Sequence, residues 1–123
     1  MVSSVGKTRM LTEGTSMEES AFNALAEAEL ARIEAALEAC GVDLDLETKP
    51  GGIVEVEFDN GTKVIINRHS AAREIWVAAK SGGFHFRPVD GQWVSGRDGQ
   101  ELYALLSNVV SQQSGESVSL SPA

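Results

Sequence analysis

Ile53-Val-Glu-Val-Glu-Phe-Asp-Asn-Gly-Thr-Lys-Val-Ile-Ile-Asn-Arg68 is the stretch whose reading decides the fold. Two apolar-polar alternating runs flank Asp59-Asn60-Gly61, which is the pattern of a β-hairpin. The loop length follows from the side-chain faces. A two-residue Asn-Gly turn would pair Phe58 with Lys63 and put Val64 and Ile66 on the face of Glu55 and Glu57. A three-residue loop with Gly61 left-handed pairs Phe58 with Thr62, Val56 with Val64 and Val54 with Ile66. It also sets Glu57 against Lys63 outside, and because a one-residue slip would invert every side chain, this register is the expected one.

Outward from the hairpin, Pro50-Gly51-Gly52 reads as a turn. Before it, Val42 to Thr48 alternates strictly, with Leu44 and Leu46 on one face and Asp43, Asp45 and Glu47 on the other. After it, Glu74 to Lys80 is a strand whose Ile75, Val77 and Ala79 oppose Trp76 and Ala78. Ser81-Gly82-Gly83 turns into Phe84-His85-Phe86, Asp90-Gly91 turns again, and Gln92 to Ser95 forms a last short strand. Helices bracket these strands. Ser16 and Glu19 make a capping box opening a helix to about Cys40. Its apolar arc comprises Phe22, Leu25, Ala26, Leu30, Ile33, Leu37 and Cys40, and Gly41 stops it. Glu29 projects from inside that arc, and no sequence pattern accounts for it. Asp98 and Glu101 read as a second capping box before Leu102, Leu105, Leu106, Val109 and Val110. Val118 and Leu120 could add a further short strand.

Strands joined by tight turns are antiparallel neighbours. The expected architecture is therefore an α+β two-layer sandwich. Its antiparallel sheet has five to six strands, with the N- and C-terminal helices packed on one face and the other face open to water. Residues 1–16 are read as a flexible N-terminal extension, 17–120 as the domain and 121–123 as a tail.

Composition bounds the function. A chain of 123 residues with 42% hydrophobic content is sized for one globular domain. No apolar run approaches the ~20 residues of a membrane span. The first residues carry no apolar stretch of a secretory signal, so a cytoplasmic protein is expected. The single Cys40 excludes an intramolecular disulfide and any cysteine-cluster metal site. Charge is one-sided. Residues 18–59 hold twelve acids against Arg32 and Lys49, while the whole chain carries −8. Such a field attracts metal cations or a basic protein surface and repels nucleic acid.

The acids fall in consecutive places: Glu34 and Glu38 near the end of the first helix, then Asp43, Asp45 and Glu47 on the first strand. Carboxylates are hard ligands for Ca, Mg, Mn and iron. Spaced i,i+2 on a strand (roughly 7 Å) or i,i+4 on a helix (roughly 6 Å), they make a ridge of shallow, weak sites and not one tight cage. The plainer alternative is a solvated face that aids solubility. Against it, Glu34 and Glu38 oppose the helix dipole, by up to ~1 kcal/mol. An EF-hand is excluded by Thr48 and Val54 at its sixth and twelfth positions. His69 and His85 read as lone surface or sheet residues. Trp76, opposite in parity to Ile75 and Val77, belongs on the open face. With Asn67 and Arg68 near the end of a neighbouring strand, it makes a partner-binding anchor.

Asn60-Gly-Thr-Lys-Val-Ile-Ile-Asn-Arg-His69, followed by Glu74-Ile-Trp-Val-Ala-Ala-Lys-Ser-Gly-Gly-Phe-His-Phe86, resembles the frataxin family, most closely its bacterial form. The likeness extends from about Met17 to Leu120. It implies weak binding of iron, ferrous or ferric, by an acidic ridge on the first helix and first strand. It also implies a non-enzymatic monomer whose partners are the cysteine desulfurase and scaffold of iron–sulfur cluster assembly, with the protein as iron donor or regulator. Under the resemblance, Glu19, Glu34, Glu38, Asp43, Asp45, Glu47 and Asp59 match ridge positions, and Asn67 and Trp76 match an exposed sheet surface. Ala35, Ala39 and Gly41 stand where the bacterial form often has further acids, so this ridge is thinner. Two rival readings are a metal-independent interaction regulator and an iron oxidase, the latter disfavoured by the lack of a histidine-bearing ligand cluster.

Overall fold

The computed structural model describes residues 18–122. In chain order the elements are α1 (Glu19–Glu38), β1 (Leu44–Lys49), β2 (Ile53–Phe58), β3 (Lys63–His69), β4 (Glu74–Ala79), β5 (Gly82–Val89), β6 (Gln92–Ser95) and α2 (Leu102–Ser114). The six strands form one antiparallel meander in sequence order. Both helices cover one face, and the expected α+β two-layer architecture is what the chain adopts. The core between the layers is built from Phe22, Ile33 and Leu37 of α1, Leu102, Leu106 and Val109 of α2, and Val56, Val64, Ile66, Ile75, Val77 and Phe86 of the sheet.

The hairpin at the centre has the three-residue register. Val56 faces Val64, Val54 faces Ile66 and Glu57 faces Lys63. The Phe58 N–H donates to Thr62 O at 2.9 Å, and Gly61 takes φ 84°, a value that favours glycine. Gln113, buried on α2, clasps this hairpin to the next: its side chain donates to Thr62 Oγ1 and Lys63 O and accepts from Lys80 N.

Several element ends differ from the sequence expectation. Ser16 lies outside the described residues. The N-cap of α1 is Glu18, with no side-chain cap, and the helix ends at Glu38, two residues before Cys40. The apolar arc is rotated from the expected one. Leu25, at its rim, is 38% exposed, whereas Glu29 and Ala36 are buried, because both project close to Phe22 and Ile33 at ~100° per residue. The glycines after Ser81 are strand, not turn: Gly82 pairs with Ala79 and Gly83 with Ala78, leaving Lys80-Ser81 as a two-residue turn. At α2 the N-cap is Glu101 itself, whose carboxylate accepts from Tyr103 N and Ala104 N. Asp98 instead caps the preceding turn through Gln100 N at 3.0 Å. A bridge from Val94 to Glu101 holds that residue extended, so the helix cannot begin earlier. Val118 and Leu120 form no strand; Ser111 and Ser107 hydroxyls of α2 accept their N–H groups at 2.9 and 2.8 Å.

Glu29 is satisfied by distant partners. Its Oε2 accepts the Tyr103 hydroxyl, and its Oε1 accepts Trp93 Nε1 and Arg32 Nη1, both at 3.2 Å. Trp93 in turn packs edge-on against Phe22. Burial, then the hydrogen bond to the Glu29 carboxylate, pushes the Tyr103 hydroxyl well above the usual phenol range.

Candidate functional site

Two surfaces collect the predicted site residues. The first is the acidic edge. β1 is an edge strand, and its odd-numbered side chains face away from the helices. Across the β1–β2 pairing, Asp45 stands directly opposite Glu57 and Glu47 opposite Glu55. Directly opposed residues have Cβ atoms about 4.5–5.5 Å apart, and like charges there are destabilising. The two pairs differ in compensation. Glu55 accepts salt bridges from Lys49 at 2.7 Å and Lys63 at 2.8 Å. Those lysines lower its pKa to about 2, and Glu55 raises theirs. Asp45 and Glu57 take part in no salt bridge among the described residues.

The other ridge positions spread along this edge. Asp43 and Asp59 line one shallow cleft with Glu116, beside Asn60 and Ser114. Glu34, half-buried, lines another with Glu27, Thr48, Lys49 and Gly52. Glu38 is exposed on the last residue of α1, and no basic residue balances the final turn. Glu19 is set apart in the first turn of α1, roughly 28 Å from Glu38 at 1.5 Å per residue. Among the described residues, no group of three histidine, cysteine, aspartate or glutamate side chains is placed to hold one metal ion. The sequence pattern sets Glu57 outside against Lys63 but does not assign it to the ridge, and Glu116 is not assigned at all. The turn at Pro50-Gly51-Gly52 would have revealed Glu57, because it fixes the β1–β2 register.

The second surface lies on the open face of the sheet. Asn67, Trp76 and His85 form one cross-strand row. Trp76 is half-buried, whereas its neighbours Ile75 and Val77 are buried on the helix face. Its ring is stacked between two imidazoles, His69 at 3.9 Å and 13° and His85 at 4.2 Å and 9°. Its Nε1 donates to Glu74 Oε1 at 2.8 Å. The indole is thus fixed in orientation with its edge available. The two histidines, read from sequence as isolated, are the flanks of this stack; the pairing of β4 with β5 brings His85 there.

Arg68 does not belong to this surface. It pairs with Ile75, so period-two geometry sends it to the helix face with Ile66. There it ion-pairs with Glu27 of α1, its side chain only 16% exposed. A Cβ at Gly52 would lie 2.9 Å from Arg68 Cβ, so the glycine makes room for the arginine. Its role is to tie the helix to the sheet.

Among the described residues no helix is long and apolar enough to cross a membrane. A family model described as a frataxin-like domain matches residues 15–116. The chain is similar to the iron-sulfur cluster assembly protein CyaY of Dechloromonas aromatica, 58% identical over 104 residues, covering 85% of this chain and 99% of that one. It is likewise similar to the CyaY of Ralstonia nicotianae, 52% identical over 105 residues, covering 83% and 93%. Among solved structures, the frataxin of Psychromonas ingrahamii superposes with a TM-score of 0.77 at 34% identity, covering 84% of this chain and 97% of that one. Trimeric frataxin of Saccharomyces cerevisiae complexed with ferrous iron gives 0.58 at 27% identity, covering 86% and 94%.

Proposed function

The chain belongs to the frataxin-like family, and from that premise we propose that it serves iron–sulfur cluster assembly in the cytoplasm as a non-catalytic monomer. It binds iron weakly along its acidic edge and docks on the cysteine desulfurase and its scaffold, as iron donor or as regulator. The observation that carries the reading is the opposed pair Asp45–Glu57, which makes no salt bridge although Lys63 faces Glu57 from β3, flanked along the same edge by Asp43, Asp59, Glu47, Glu34 and Glu38. Opposed carboxylates repel until a cation sits between them, and hard oxygen donors suit iron. Among the described residues no histidine or cysteine joins them in a metal-holding group, so water would complete the coordination and the ion would exchange readily. The names of the relatives and the ferrous complex of the yeast protein point the same way.

The Trp76 stack favours a second component that needs no metal. A pre-oriented aromatic on the open face, beside the exposed Ile65, contributes at close contact, while the acidic edge acts at a distance and is screened by salt. Reconstituted cluster assembly with desulfurase, scaffold and ferrous iron tests the function. The full chain is expected to change the assembly rate, and Asp45→Asn/Glu57→Gln to weaken that effect. An assembly rate indifferent to the protein would overturn the reading. If the ridge variant acted like wild type while Trp76→Ala did not, the metal-independent regulator would be the right one.

A further inference from the structure

The edge of the open face farthest from the acidic ridge has the opposite character. At the β5–β6 end a cleft of about 370 Å³ is lined by Glu74, His85, Arg87, Ser95, Gly96 and Arg97 among others. Two guanidinium groups and an imidazole therefore converge in a chain whose net charge is −8. Like charges gather at a cost unless something offsets them, and the offset within the molecule is partial. Glu74 is the carboxylate of the cleft. Its Oε1 is taken by the Trp76 N–H at 2.8 Å, with His85 Nδ1 at 3.8 Å from the same oxygen, and Arg87 reaches its Oε2 only at 4.0 Å. The Arg97 guanidinium makes no salt bridge within 4.0 Å among the described residues, and the neighbouring Asp98 acts on it only at longer range. Arg87 is held over the loop that carries Arg97 by the bare backbone of Gly96, where an added Cβ would stand 3.0 Å from Arg87 Nη2. The turn at Ser95-Gly96-Arg97 is itself braced by Arg97 N donating to Ser95 Oγ at 3.3 Å.

We infer that this cleft is a docking site for an acidic segment of a protein partner, with Arg87 and Arg97 taking its carboxylates and His85 lining the side toward Trp76. Charge complementarity identifies the occupant: a planar guanidinium presents paired N–H donors that match a carboxylate, and such pairs strengthen when docking removes water. Continuity supports a segment of protein over a free ion, because His85 is shared between the cleft and the Trp76 stack. The site rests on the reading of the open face as a docking surface, and it adds polarity to that face. The acidic ridge on β1 and this basic cleft stand at opposite edges of a six-stranded sheet, about 19–24 Å apart at ~4.8 Å per strand. A partner with a basic patch and an acidic segment at that separation can bind in one orientation only.

The test uses the full chain and a hexaglutamate peptide at low salt, with hexaglutamine as the neutral control and amide shifts as the readout. Hexaglutamate is expected to shift Gly83, His85, Arg87, Gly96 and Arg97 while hexaglutamine does not. Arg87→Gln/Arg97→Gln is expected to weaken binding about tenfold, as loss of paired charges does, with the melting temperature unchanged because both side chains are on the surface. Shifts centred elsewhere, or undiminished in the double variant, overturn the proposal. So does inorganic phosphate that saturates the same amides and cannot be displaced by the peptide, which would make the cleft a small-anion site. Iron and desulfurase are absent from this experiment, so its failure leaves the proposed function standing, and the assembly assay can fail while the peptide still binds.

Discussion

Glu29 and the Asp45–Glu57 pair are two carboxylate sites built in opposite ways. Glu29 is 7% exposed, and its oxygens accept from Tyr103, Trp93 and Arg32. Asp45 and Glu57 are exposed, face each other across a strand pair, and have no cationic side chain within salt-bridge distance among the described residues. A buried charge survives only when the fold supplies its donors. An exposed pair left without donors lowers stability and gains from a cation. Charge alone therefore does not separate structural acids from functional ones; the donors around each carboxylate do.

The comparison is broken most severely at Glu29. Glu29→Ala leaves the Tyr103 hydroxyl and Trp93 N–H buried without an acceptor, and should cost about 3 kcal/mol in urea denaturation. A loss below ~1 kcal/mol would mean that the network contributes little to the fold. Trp76→Ala comes next, with an expected loss of about 1 kcal/mol for the two ring stacks and not the ~3–5 kcal/mol of a core aromatic. Its larger effect should appear as faster release from the desulfurase at any salt concentration.

How much of this was open to reading from sequence depends on how far apart the partners lie along the chain. The β2–β3 register followed from alternation and Gly61, all within sixteen residues. Trp76 was placed on the open face by its parity with Ile75 and Val77. The same parity places Arg68 beside Ile66 on the helix face, opposite its sequence neighbour Asn67. Glu29 could not be explained, because its partners lie 64 and 74 residues away and reach it only when β6 and α2 are in place. The start of α2 was misplaced because Glu101 serves as its own N-cap, a role that Ser, Thr, Asp and Asn fill more often.

A smaller effect sharpens the contrast within the ridge itself. Glu55, unlike Asp45, has Lys49 and Lys63 as hydrogen-bonding partners, and its folded pKa lies near 2, below the ordinary ~4.3. A lowered folded pKa means stability that is present above pH ~4.3 and lost as pH falls toward 2. Glu55→Gln should therefore flatten the acid limb of the stability profile below pH 4.3. A limb of unchanged steepness would remove Glu55 as its source.

The smallest stability change is expected at the pair that matters most for function. Asp45→Asn/Glu57→Gln relieves opposed like charges but also takes the Glu57 charge away from Lys63, so stability should stay within about 0.5 kcal/mol of wild type, and loss of iron binding in this variant cannot be blamed on unfolding. Anaerobic ferrous titration of the wild type and this double variant, followed by amide shifts, is the most direct test. Wild-type shifts should centre on residues 43–47 and 55–59 and weaken severalfold in the double variant. Shifts centred on His69 and His85, or unchanged by the two substitutions, would contradict the account.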